Sequence, residues 1–394
     1  MKKIFWLLAA LVIPVFLFSA NPPSTDWPQY RGMNRDGISR ETGLLKTWPE
    51  TGPKVIWKAE VGPAYSAIAV SGGRVFTMDS KGSDEFVVCF DTASGKELWR
   101  YRNDANFDND QGNGPRSTPV VDGNMVYALG ALGQLTALSA QDGKKIWAHN
   151  LKTEYGSEIP QWGTSTQPLV EKDLLIVDVG GVSGQSIMAF HKKNGTVQWK
   201  THTDKQGYST PIAVTVNGVR QILVFTGTTL VSVSPEGNIL WKYPWRTSYD
   251  ANIASPIFVS PDKVFISSSY DTGAALLQIK GNAVQEIWKS RIMKNHFNSS
   301  VVDGNNLYGF DDATLKCIDV LTGAEKWKQS GFGKGSLILA DGHLIVLSER
   351  GKLALVEATP TAYKEVASYQ ALDGKCWTMP TLANGKLYLR NQKS

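Results

Sequence analysis

The chain is 394 residues long, 42% apolar and 20% charged, with 41 basic against 36 acidic residues and a formal net charge of +5. A charge so small, with no run of five basic residues anywhere, excludes nucleic acid as a partner. Three cysteines are an odd number for an exported chain, and thirteen tryptophans are a heavy load that asks for an architectural reason.

Residues 1–20 open with Lys2 and Lys3, run through an apolar stretch from Ile4 to Phe18 and end in Ser19-Ala20 before Asn21-Pro22-Pro23. Charge, length and small-residue exit predict a cleaved secretory signal peptide. The competing reading is an uncleaved membrane anchor, but the apolar run falls short of the roughly 20 residues a spanning helix needs. The mature chain is therefore expected outside the cytoplasm, in a periplasm or the medium, with no stable membrane anchor and as a monomer. Residues 21–53 carry Trp27-Pro28-Gln29-Tyr30-Arg31-Gly32 and Arg35-Asp36-Gly37 with several prolines and little periodicity, so they read as an extended leader, not a domain.

From residue 54 to residue 394 one figure recurs. A turn with glycine at the position needing positive φ is followed by a short strand carrying an aromatic marker, as in Asp91-Thr92-Ala93-Ser94-Gly95-Lys96-Glu97-Leu98-Trp99. The markers are Trp57, Trp99, Trp147, Trp199, Trp241, Trp288, Trp327 and Tyr369. Between markers come a Ser/Thr-x-Pro step, an apolar run, a polar turn and two further apolar strands; the second unit has all of these from Ser117 to Trp147. Four short strands per unit of about 40 to 50 residues predict propeller blades. The fold class is thus all-β, an eight-bladed β-propeller of four-stranded blades. The last unit starts at Thr378 and reaches only Lys386 to Leu389, while Val55 to Glu60 is a marker strand with no blade before it. The amino-terminal strand is expected to complete the carboxy-terminal blade and close the ring, which removes open edges. A seven-bladed ring with a loose tail is the alternative. The marker tryptophans are expected to cover the neighbouring blade from the outermost strand. Cys89 and Cys317 fall at one strand position in different units, too far apart for the roughly 7 Å Cα limit of a bridge, so no disulfide is expected.

The repeated figure resembles the PQQ-like β-propeller repeat family, named for quinoprotein alcohol dehydrogenases whose eight blades dock through such tryptophans. The resemblance covers roughly residues 54–394, and the Trp27 to Gly37 stretch looks like the leader of an exported branch of that family. Kelch and WD40 propellers are less similar, because Gly72-Gly73 precedes one blade only and no Gly-His and Trp-Asp pairing recurs. The resemblance implies two functions. One is a non-enzymatic scaffold or binding module, as in the propeller subunit of the outer-membrane β-barrel assembly machinery, which takes no cofactor. The other is a PQQ-dependent alcohol or sugar dehydrogenase holding PQQ with Ca²⁺. The scaffold is preferred, since Cys89, Cys317 and Cys376 are isolated where the dehydrogenases have adjacent cysteines, and no carboxylate pair stands out as a calcium cage.

Other chemistry is sparse. The five histidines have no zinc-site spacing, and neither a Gly-x-Ser-x-Gly elbow nor a phosphate-cradling loop is present, so no catalytic or metal-binding residue is expected. One constellation remains. The first strand of each blade lines the central channel, and the residues just before the Ser/Thr-x-Pro steps should point to one mouth of it. The candidate binding residues are therefore Tyr65, Arg116, Tyr208, Asn298, Lys334 and Trp377, with Trp162 and Phe297 just upstream of two of the steps. Two cations among aromatics would suit a protein partner or a small planar anion of the PQQ kind. Arg116→Ala and Trp377→Ala are expected to weaken binding and leave folding nearly untouched.

Overall fold

A computed structural model describes residues 25–394. The signal-peptide reading lies outside the described residues, and among those no helix is long and apolar enough to cross a membrane. Seven four-stranded antiparallel meanders occupy residues 69–105, 120–150, 169–201, 212–244, 257–290, 301–329 and 336–370. The first is built from Ala69–Ser71, Arg74–Lys81, Asp84–Asp91 and Glu97–Ala105 in that spatial order. Its middle strands are near-continuously buried because each sheet is covered on both faces by its neighbours, and its last strand is half exposed. The apolar core accordingly lies between blades: Phe76, Met78, Val87 and Cys89 of the first pack against Val126, Ala128 and Leu138 of the second. These stacked sheets form a β-propeller.

The marker tryptophans join blade to blade through both a hydrogen bond and a flat contact. Trp99 donates its indole N–H to the Ala140 carbonyl at 3.1 Å, Trp147 to Lys192 at 2.9 Å, Trp199 to Pro235 at 2.8 Å and Trp327 to Thr359 at 2.7 Å, each acceptor in the next blade. Gly143 sits at φ +70° directly under the Trp99 ring, where a Cβ would come within 2.7 Å of it. Here the glycine answers both the turn and the close approach. Trp241 departs from the pattern and donates to Gln221 of its own blade at 2.9 Å. The three cysteines are free and buried, with Cys89 and Cys317 at equivalent third-strand positions opposite Trp99 and Trp327.

The eighth sheet corrects the expected closure. It contains two strands, Thr381–Ala383 and Lys386–Tyr388, and residues 55–60 form no strand beside them. The outer segment nevertheless stands where an outermost strand belongs. Trp57 donates to Thr92 of the first blade at 3.0 Å and lies over Gly95, as Trp99 lies over Gly143. What is missing among the described residues is the third strand, without which the outer one has nothing to pair with. The ring closes through its inner strands instead: the Ser336 hydroxyl donates to the Thr378 carbonyl at 3.0 Å on one side, and the Thr381 hydroxyl to Ile68 at 2.8 Å on the other.

The leader, described from Thr25 onward, crosses the inner strands through residues 27–39. Trp27 exchanges two backbone bonds with Val70 of the first blade, and Pro28 accepts from Val121 of the second. Arg35 reaches the carbonyls of Pro168 at 2.5 Å and Pro211 at 3.1 Å, and Arg31 that of Ser300 at 2.7 Å. Ile38–Ser39 then adds as a parallel strand to Ser336–Ala340. Both guanidiniums are buried and form no salt bridge among the described residues, and burial holds Arg35 down to about 9. Carbonyls of the Ser/Thr-x-Pro steps thus serve as the counter-dipoles for two cations.

Candidate functional site

The Ser/Thr-x-Pro steps carry hydroxyls for a reason that the register makes plain. Ser209 donates to Ala254 at 3.1 Å, the Ser299 hydroxyl accepts from the Ser255 N–H at 2.9 Å, and the Thr118 hydroxyl accepts from the Ala67 N–H at 3.0 Å, each bond running from one blade to the next. This inner hoop fixes the backbone that presents the preceding residue to the mouth. All six residues read from the sequence, Tyr65, Arg116, Tyr208, Asn298, Lys334 and Trp377, line one cavity of about 490 Å³ there, and Tyr30 of the leader lines it with them. Tyr208, Asn298 and Arg116 are buried, whereas Tyr65, Lys334 and Trp377 are half-buried.

Aromatic rings run almost all the way round this cavity. Trp377 stacks on Tyr65 at 5.3 Å and meets Phe297 at 4.6 Å; Phe297 meets His296 at 5.2 Å, His296 meets Tyr270 at 5.3 Å, and Tyr270 lies parallel to Trp162 at 6.1 Å, which meets Tyr208 at 5.8 Å. Tyr249 and Tyr270 were invisible to the repeat register because they sit in inter-strand loops that have no fixed place in the repeat, and His296, next to Phe297, carries no spacing signal of its own. Lys375 lies 4.1 Å above Trp377, and a run of lysine and tryptophan two residues apart was its one signal. Glu349 steadies the half-buried side, accepting from the Trp377 indole at 2.9 Å and the Lys334 backbone N–H at 3.3 Å.

The two cations are not equivalent. Arg116 lies between Phe107 at 4.6 Å and Tyr65 at 5.5 Å and donates to the carbonyls of Trp162 at 2.7 Å, Gly112 at 2.6 Å and Gly114. Its edge is spent on main chain, and burial lowers it to about 10. Lys334, by contrast, has no side-chain hydrogen bond or ion pair among the described residues. Burial, helped by the Lys334 charge, holds His296 down to about 4, so the ring is neutral at pH 7. Two buried polar atoms at the cavity wall lack partners among the described residues, the His296 Nδ1 and the Gln167 Oε1. These are the atoms a bound group would satisfy.

PQQ does not fit this mouth. A planar tricarboxylate needs several free cations, and Arg116 is already committed to three carbonyls. Cys376 is single and buried, and its thiol is pushed up to about 11 by burial. Among the described residues no group of three or more His, Cys, Asp or Glu side chains is placed to hold a metal ion. What the mouth offers is an aromatic wall, neutral hydrogen-bonding groups, the Asp110 carboxylate and the ammoniums of Lys334 and Lys375, in a cup that Tyr30 of the leader helps to line.

Comparison with known proteins agrees with this architecture. The chain is 22% identical over 329 residues to outer membrane protein assembly factor BamB of Escherichia coli K12, covering 69% of this chain and 81% of that protein. It is 22% identical over 378 residues to BamB of Yersinia pestis, covering 88% of each. Among solved structures, BamB from Moraxella catarrhalis superposes with a TM-score of 0.61 at 16% identity, over 83% of this chain and 91% of that one. A quinohemoprotein alcohol dehydrogenase from Comamonas testosteroni superposes with a TM-score of 0.60 at 11% identity, over 91% of this chain and 74% of that one. At such identities the superpositions speak to fold alone. A family model described as outer membrane protein assembly factor BamB matches residues 43–177 and 156–329, and the chain belongs to that PQQ-like β-propeller family.

Proposed function

We propose that this chain is an exported, non-enzymatic scaffold of outer membrane protein assembly that holds a protein partner at the aromatic mouth of its channel. The observation that carries the reading is the mouth itself. Aromatic faces, an uncommitted ammonium at Lys334 and two unpartnered buried polar atoms are grouped in one cup whose backbone is fixed by the inter-blade hoop. Such a surface suits the side chains of a protein segment: apolar area from Tyr65, Phe297 and Trp377, and a few placed polar contacts from Asn298, Gln167 and His296. The relatives named BamB support the assembly role, and a rigid propeller carrying a binding cup needs no chemistry to serve it. The dehydrogenase alternative has no such support in the donor set of the mouth.

The test is genetic and quantitative. Deleting the gene in the source organism should lower the amounts of outer-membrane barrel proteins, and the wild-type gene should restore them. A Tyr65→Ala, Trp377→Ala double variant, confirmed to be folded by circular dichroism, should fail to restore them. Unchanged barrel-protein levels on deletion would refute the assembly role; full rescue by the double variant would move the partner elsewhere on the surface.

A further inference from the structure

The cup at the mouth has the leader crossing beneath it and an uncommitted charge on one side, and both limit what can enter. Residues 27–39 bond to the first, second, third, fourth, sixth and seventh blades at or beside their inner strands, and Tyr30 lines the cup. A segment that comes in at the mouth meets this crossing chain and has to end there or turn back. The aromatic rings favour a turn, because they come in two sets from different parts of the ring. Tyr65, Phe297 and Trp377 belong to the first, sixth and eighth blades, and Trp162, Tyr208 and Tyr270 to the third, fourth and fifth. Each set has room to face one limb of a turn, whereas a chain end would cover one set and leave the other wet.

The sign of the occupant follows from which charges are already spent. Arg116 is held by three carbonyls, and Lys375 gives its ammonium to the Gln111 carbonyl at 3.1 Å. Asp110 is exposed on the rim, where water screens it. Glu349 already accepts from the Trp377 indole and the Lys334 backbone N–H. Lys334 remains, half-buried, its ammonium without a hydrogen bond or ion pair among the described residues. Neutral groups add a need for donors. Gln167 gives its amide N–H to the Ser165 carbonyl at 2.9 Å, which leaves its buried Oε1 as an acceptor with nothing to accept. The central residues of a tight turn carry backbone N–H groups that the turn's own bond does not use.

We propose that the partner enters this cup as an acidic tight turn. An Asp or Glu at the tip meets the Lys334 ammonium, the two limbs lay flat apolar side chains against the two aromatic sets, and a backbone N–H of the turn reaches the Gln167 Oε1. This rests on the reading of the mouth as a protein-binding cup and adds the shape and sign of what binds there. A basic tip would have only the exposed Asp110 to meet and would set its charge beside Lys334.

The probe is the capped peptide acetyl-Tyr-Pro-Asp-Gly-Phe-amide, whose Pro-Asp-Gly favours a turn and whose blocked ends leave the Asp side chain as its one carboxylate. Binding to the full chain is measured by isothermal titration calorimetry at pH 7, beside the same peptide with Asn or Lys in place of Asp. The Asp peptide should bind roughly tenfold tighter than the Asn peptide, and the Lys peptide should bind weakest. Lys334→Gln removes no internal bond and should fold as the wild type does by circular dichroism; it should erase the preference for Asp over Asn and leave the affinity for the Asn peptide nearly unchanged. The Tyr65→Ala, Trp377→Ala double variant should weaken all three. Four results overturn the proposal: no binding of either peptide at its highest soluble concentration, equal binding of the Asp and Asn peptides, a preference that survives Lys334→Gln, or an Asn peptide whose affinity rises to that of the Asp peptide when its carboxyl terminus is left free, which would assign the cup to a chain end. Any of these leaves the scaffold reading standing as long as the double variant fails to restore the barrel proteins; full rescue by that variant would remove the partner from the mouth and the acidic turn with it.

Discussion

Arg116→Ala separates a structural cation from a ligand-binding one. The side chain gives three charge-assisted bonds to the carbonyls of Gly112, Gly114 and Trp162, each worth about 1.5–3 kcal/mol. Against that stands desolvation. A fall from 12.5 to about 10, at about 1.4 kcal/mol per pH unit, is about 3 kcal/mol in favour of removing the charge. Truncation also opens the carbonyls to water, because the residue borders a cavity, which recovers part of the lost bonding. The net expectation is a loss of about 2–4 kcal/mol, carried by residues 106–115, whose path the guanidinium pins to Trp162 of the next blade. Urea unfolding followed by tryptophan fluorescence at pH 7 measures the loss, and limited proteolysis locates it. Arg116→Lys keeps a charge but cannot bridge three carbonyls and should fall between wild type and alanine. An alanine variant with an unchanged unfolding midpoint and an unchanged cleavage pattern at residues 106–115 would show that the guanidinium is not a staple, and would return it to the role of ligand anchor that its sequence position first suggested.

Trp147→Ala should cost about 3–5 kcal/mol in the same unfolding assay, since it empties the space between Phe190 and Tyr127 and leaves the Lys192 carbonyl without its donor; a loss under 1 kcal/mol would mean that the blades do not depend on their marker contacts. Burial raises the Glu85 carboxyl from 4.5 to about 7, so the stability it contributes is complete below pH 4.5 and is lost as the pH rises through 7. Glu85→Gln should therefore gain on the wild type between pH 5 and pH 8, by up to about 3 kcal/mol, and a difference that does not vary with pH would contradict the assignment. Burial pushes the thiols of Cys89, Cys317 and Cys376 up to about 11, so all three should resist a thiol reagent at pH 8 in the native protein and react together in denaturant without reductant; fewer than three reacting would mean a bridge.

The repeat made both the sheets and the mouth legible. A marker aromatic at fixed distance from a glycine turn defines the outermost strand, and the Ser/Thr-x-Pro step defines the innermost, so the residue before each step falls at the same height in every blade. That is why Tyr65, Asn298 and Trp377, far apart in sequence, could be placed together from the sequence. The same logic failed where no period operates. Tyr249 and Tyr270 reach the mouth on loops of irregular length. The chemistry of Arg116 was misjudged because a sequence locates a guanidinium without revealing that three carbonyls already occupy it. The eighth blade was half read: its inner strands and its outer marker were recognised, but strand pairing needs an adjacent edge, and between Tyr388 and Trp57 there is none.

The plug formed by the leader bears on how the ring reaches its size. Arg31 and Arg35 span from the third and fourth blades to the sixth, and Trp27 and Ile38–Ser39 tie the first blade and the seventh to the same short stretch. A stretch that touches so many inner strands at once ties their spacing to its own length. Since it precedes every blade in the chain, it is available as a gauge before the first sheet forms, fixing the diameter on which the later ones close. A circular permutant that moves residues 25–53 behind the last blade would have the same sequence content and no gauge, and its rings should close in more than one size.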